Sequence, residues 1–174
     1  MSEAALLVAS ISLVVSGLAL GWQVAMWLLN GARVRVRLMH GVLGRGGVAV
    51  GPVQRGGKPR DMSAMRSQGW GGPEVLGIEV TNTGRARVQV TGFGIRQGRN
   101  GMSVNYPAGT NISPELPTWI EPGSSATWYG DLDDGAALVQ ATTRTFATPG
   151  PRELRMTVSL GTGKSVVTRR SIRV

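Results

Sequence analysis

The chain has 174 residues, no cysteine, one histidine and a formal net charge of +9. That length suits one ordinary domain. The lack of cysteine excludes disulfides and thiolate chemistry, and the single histidine, His40, excludes any site that needs two imidazoles.

From Ala4 to Leu29 no side chain is charged, and Leu, Val, Ile, Met and Trp supply most of the surface. At about 1.5 Å per residue a helix over this block exceeds the roughly 30 Å hydrocarbon core of a bilayer, so residues 4–29 are expected to form a transmembrane helix. Ser10, Ser12 and Ser16 can bond carbonyls one turn back. A cleaved signal peptide would carry bases ahead of a shorter apolar run and end in small residues; here Glu3 precedes the block and Met26-Trp27-Leu28-Leu29 closes it. Arg33, Arg35 and Arg37 follow the helix, and no base precedes it. The positive-inside rule then predicts a single-pass protein of the cell membrane, N-terminus out and C-terminal domain cytoplasmic. Trp22 and Trp27 suit an interfacial aromatic belt. Gly17, Gly21 and Ala25 recur every fourth residue, a small-residue face that would let two helices approach as a homodimer.

After Ala32 the period changes to two. Val34, Val36 and Leu38 alternate with Arg33, Arg35 and Arg37, the pattern of a half-buried strand. The three arginines are expected to lie against anionic lipid head groups, each contributing about 1 kcal/mol near the surface. Val48 to Val50 reads as a second, short strand. Residues 51–72 are aperiodic and rich in glycine and read as a long flexible loop, which in a compact domain points to function or disorder. Arg55, Lys58, Arg60 and Arg66, with Met62, Met65 and Trp70, are residue types that adapt to a partner surface. They are the candidate partner-binding residues.

Further along, Leu76, Ile78 and Val80 alternate, and Asn82-Thr83-Gly84 is turn chemistry through tolerance of positive φ. Alternation resumes from Arg85 to Val90, with a bulge expected at Gly92. Arg99-Asn100-Gly101 predicts a hairpin into Met102, Val104 and Tyr106. Glu121-Pro122-Gly123 is a turn before the strand from Ser125 to Tyr129, which carries Ala126 and Trp128 inward. Asp131 or Asp133 is expected to cap one short helix over Ala136 to Val139. A strand from Glu153 to Leu160, a turn at Gly161 to Lys164 and a strand from Ser165 to Val174 close the chain. The whole predicts a mainly β domain over residues 33–174, a sandwich of seven or eight strands and one short helix.

Val75 to Arg85, with Val88, Val90 and Gly92, then Leu116-Pro117, Ile120-Glu121-Pro122-Gly123 and Trp128, resembles a group of uncharacterised bacterial proteins. These come mostly from high-GC actinobacteria and their phages, and the similarity spans most of residues 4–174. The resemblance implies one N-terminal helix followed by an immunoglobulin-like β-sandwich. It implies no activity.

Motifs with chemical meaning fail on context. Gly161-Thr162-Gly163-Lys164-Ser165 looks like the end of a phosphate-binding loop, but Val158 holds the place of the first glycine, and β-branched residues follow where a helix is required. Asp131, Asp133 and Asp134 miss the calcium-loop spacing, because Gly135 comes one position early and Thr142 replaces the closing Glu. His40 reads as a solvated strand-end residue. Asn111-Ile112-Ser113 is a formal glycosylation acceptor followed by Pro114. The bases are scattered with no recognition helix or stacking motif, which argues against nucleic acid. No cofactor is expected. The reading is a membrane-anchored, non-catalytic interaction module with an unknown protein partner. The alternative is a phage-related or lytic membrane protein whose helix is the active part, and an enzyme ranks last.

Overall fold

The structure is a computed structural model and describes residues 3–106, 112–146 and 152–174. Helix α1 spans Glu3–Leu29. Through Glu3–Met26 it is long and apolar enough to cross a membrane, and none of that span is buried against the rest of the chain. Ser10 and Ser12 donate to the carbonyls of Leu6 and Val8 at 2.8 and 2.9 Å, so their hydroxyls need no water. The side chain of Trp27 lies outside the described residues, as does Asn111.

The strands follow in chain order: β1 Val34–Gly44, β2 Gly47–Pro52, β3 Glu74–Asn82, β4 Val88–Gln97 and β5 Ser103–Tyr106. Then come β6 Thr118–Ile120, β7 Ser125–Asp131, β8 Glu153–Leu160, β9 Ser165–Val167 and β10 Ile172–Arg173. A short helix α2, Ser63–Ser67, precedes β3, and α3, Leu132–Thr145, joins β7 to β8. One sheet has the order β2-β1-β3-β7, and the other has β10-β8-β4-β5, with β6 also on β4 and β9 on β8. Every pairing is antiparallel.

Period-two alternation decides the core. Leu38, Leu76, Ile78, Val80 and Trp128 from the first sheet meet Val90, Phe93, Ile95, Leu154, Met156 and Val158 from the second, all buried. Trp128 is fully buried, and its indole N–H donates to the Pro114 carbonyl at 3.0 Å, so its one polar atom is satisfied. Phe93 stacks on Tyr106 with ring centroids 5.3 Å apart. The register slips between Val90 and Gly92, the bulge the glycine predicted. Gly123 takes the positive φ of 77° that its turn requires.

Three local expectations are corrected. Asn82 does not use positive φ, since no residue other than glycine has it among the described residues. Its amide instead donates to the carbonyls of Ala86 and Ile120 at 2.8 and 3.0 Å while its oxygen accepts from the Gly84 N–H, a buried bracket between two turns. The last strand is split, because Thr168 turns inward. Its hydroxyl accepts from the Met156 N–H and donates to the Arg170 carbonyl, replacing the ladder for one turn. His40 is 1% exposed, not solvated. Helix α3 begins at Asp131, whose carboxylate accepts from the Asp133 N–H at 2.9 Å. Gly135 lets the helix sit close, as a Cβ there would come within 2.4 Å of Leu154.

Candidate functional site

The segment from Val53 to Gly72 carries most of the predicted partner-binding residues and is tied down along its length. The Val53 N–H donates to the Leu38 carbonyl at 3.0 Å, and Leu43 exchanges bonds with Gly72 and Pro73 at the other end. Asp61 accepts from the Ser63 N–H at the start of α2, and this bond holds its carboxyl below the usual range. The Arg60 N–H donates to His40 Nδ1 at 3.2 Å. That acceptor role puts the imidazole proton on Nε2, which lies 3.1 Å from Glu74 Oε2, and Glu74 Oε1 accepts from Arg66 at 3.0 Å. Strand pairing makes this network, since the β1–β3 register sets Val42 opposite Glu74 and so puts His40 one diagonal away. Desolvation outweighs the carboxylate and holds the His40 pKa below its ordinary 6.5.

Of the predicted set, Arg55, Lys58, Arg60 and Arg66 are exposed, and Met65 and Trp70 are half-buried. Met62 is 4% exposed and lies inside the loop, so it offers nothing to a partner. Trp70 packs on Gly44, where a Cβ would come within 2.4 Å of the ring. The loop lies at the end of β3 opposite its junction with β1's start; nine residues of strand separate the two ends by about 30 Å.

The other end of the sandwich gathers residues that the sequence scatters. The Thr83 N–H bonds the Arg33 carbonyl, Asn82 exchanges bonds with Ser124 and Gly123, and the Gly161 N–H bonds the Gln89 carbonyl. These turns therefore surround the point where α1 departs. Arg87 stacks over Trp119 at 4.3 Å from the ring centroid, and Trp119 is 49% exposed. A cavity of about 430 Å³ there is lined by Ala32, Val34, Arg87, Trp119, Lys164 and Val166 among others. The turn at Gly161 to Lys164 leads into strand β9 rather than a helix, so no phosphate-binding loop forms.

Arg33, Arg35 and Arg37 are exposed on the outer face of β1, and Arg37 pairs with Glu79 at 3.5 Å. Arg35 and Arg37 line a cleft of about 370 Å³ closed on its far side by Arg169 and Arg170. The sequence hid this grouping, because the two pairs stand at opposite ends of the domain. Gly17 and Gly21 on α1 have open space where a Cβ would lie. Ala25 is half-buried. Tyr106 donates to the Asp134 carboxylate at 3.0 Å, and burial together with that charge raises its pKa. No protein-family model matches the chain, and no curated protein matches its sequence.

Proposed function

We propose that the protein is a single-pass membrane-anchored, non-catalytic interaction module, with its N-terminus outside and an immunoglobulin-like sandwich in the cytoplasm. The observation that carries this reading is α1, an uncharged helix with no part of its span buried by a domain that completes its own core. Such a surface needs lipid or another helix to cover it.

Connectivity supports the immunoglobulin-like assignment. With β1, β3 and β7 as strands A, B and E, and β4, β5, β8 and β9/β10 as C, C′, F and G, the sheets read A-B-E and G-F-C-C′. The arginines after the helix support the cytoplasmic orientation. Head-group contact belongs in this reading to Arg33 with the basic turns around it, and Arg35 and Arg37 extend that stripe. Gly17, Gly21 and Ala25 are the helix face for self-association. The non-catalytic reading draws on His40, whose two ring nitrogens are both engaged in holding the loop.

Carbonate extraction with protease protection tests the reading. The full chain is expected in the membrane pellet, with residues 33–174 digested only when the cytoplasmic face is opened. Release by carbonate would end the anchoring, and digestion from outside would reverse the orientation. Loss of membrane integrity on expressing residues 1–32 alone would favour the lytic alternative.

A further inference from the structure

One edge of the first sheet is left open. The Thr83 N–H donates to the Arg33 carbonyl, so the peptide groups of Arg33 face β3. Facing alternates along a strand, which directs those of Arg35 and Arg37 to β3 and those of Val34, Val36 and Leu38 away from it. Leu38 is covered, its carbonyl accepting from the Val53 N–H, and β2 pairs β1 only from Met39 onward. Among the described residues no backbone group pairs with the outward N–H and C=O of Val34 and Val36. On the opposing sheet β9 pairs only with β8.

The surroundings of this edge have two characters. On the outer face the 370 Å³ cleft holds Arg35 and Arg37 with Arg169 and Arg170. It shares those last two residues with a further cleft of about 330 Å³ that adds Arg55, Arg155 and Arg173. Glu79 is engaged by Arg37, and Glu153 by Arg155 and Arg173, while Arg35, Arg55 and Arg169 have no carboxylate within 4.0 Å among the described residues. On the inner side Val34 opens onto the apolar wall of Val88, Leu160 and Val166.

We infer that the edge of β1 at Val34 to Val36 binds an extended acidic polypeptide segment by strand addition. Its carboxylates would meet the arginine clefts, and its alternate apolar side chains would face Val34 and Val166. This rests on the reading of the protein as an interaction module and names its partner's chemistry. Strand addition satisfies the unpaired backbone groups, and period-two alternation sends acidic and apolar side chains to the two matching faces. A second copy of β1 fits poorly, because arginine would stand across from arginine. Single-stranded nucleic acid would call for stacking aromatics, and neither arginine cleft has one in its lining.

The test uses the full chain in detergent micelles, which keeps it independent of membrane insertion. Fluorescence anisotropy is read with a short labelled peptide alternating Glu and Val, with the same peptide N-methylated on alternate amides, and with an oligodeoxythymidylate. The plain peptide is expected to bind saturably and more weakly as salt rises. Arg35→Gln with Arg169→Gln should weaken it about tenfold, the loss of a charge-assisted contact. Independently of any variant, the amides of Val34 and Val36 should gain hydrogen-exchange protection when the peptide is added to the unaltered protein. Equal binding of the N-methylated peptide, tighter binding of the oligonucleotide, or no protection at Val34 and Val36 would each overturn the inference. None of these results would alter the carbonate extraction.

Discussion

His40 concentrates the chemistry of the distal loop in one side chain. Its Nδ1 must accept from the Arg60 N–H, and its Nε2 must donate to Glu74, so the buried ring is held neutral. Arg66, paired with the same Glu74, adds positive charge nearby. With its folded pKa lowered below 6.5, the unfolded chain binds more protons than the native one, and stability rises with pH. The contribution is complete above pH 6.5 and is lost as the pH falls toward the folded value. The thermal midpoint of the full chain in detergent should therefore fall on that acid side, and His40→Gln should flatten the dependence. Asn82 makes a second residue-scale prediction. Asn82→Ala strands the buried Ile120 carbonyl and releases two turns, costing about 2 kcal/mol by thermal denaturation. Asn82→Asp should cost at least as much, because an oxygen would replace the amide donor that serves Ala86 and Ile120.

At the scale of elements, α3 depends on its first turn. The Asp131 carboxylate caps it, Asp133 and Asp134 lie near its positive end, and Arg144 sits in its last turn. Asp131→Ala should cost about 1 kcal/mol, and Asp131→Asn should recover most of it, measured by thermal denaturation followed by helical circular dichroism. The loop between β2 and β3 is the other instructive element. Its composition predicts a flexible insertion, yet Val53 and Met62 are buried and its backbone bonds β1 at both ends. Composition records the share of glycine and charge, and two buried apolar residues in twenty do not change it. What holds the loop is a histidine on one strand and a glutamate on another, which no local window contains.

On the scale of the whole molecule the sandwich has two unlike ends. Where α1 departs, Arg33, Arg85, Arg87 and Lys164 surround the exposed Trp119, against the single carboxylate of Glu121 in the neighbouring turn. Bases beside an anionic surface contribute about 1 kcal/mol each, and an exposed tryptophan suits the interface. In nanodiscs, residues 83–87 and 161–164 should show more hydrogen-exchange protection with anionic lipid than with neutral lipid. Changing Arg33, Arg85, Arg87 and Lys164 to Ser should abolish the difference. Equal protection in both lipids would place this end away from the head groups. The opposite end, about 30 Å along β3, carries the His40 network and the exposed bases of the loop.

The sequence by itself determined what depends on neighbours along the chain. An uncharged block makes α1, period-two alternation makes the strands and selects Leu76, Trp128 and Met156 for the core, and single glycines mark the bulge at Gly92 and the turn at Gly123. Arg33, Arg35 and Arg37 were legible as an exposed stripe for the same reason. Only the tertiary structure decided which distant residues meet. Arg35 reaches the neighbourhood of Arg169, and Trp119 that of Lys164, because β1 and β9 form opposing edges of a two-layer stack. Met62 left the candidate surface, and His40 left solvent, because burial is set by what packs from elsewhere in the chain. The open edge at Val34 and Val36 belongs to the same class, since whether a strand has a second neighbour is a property of the sheet and not of the strand.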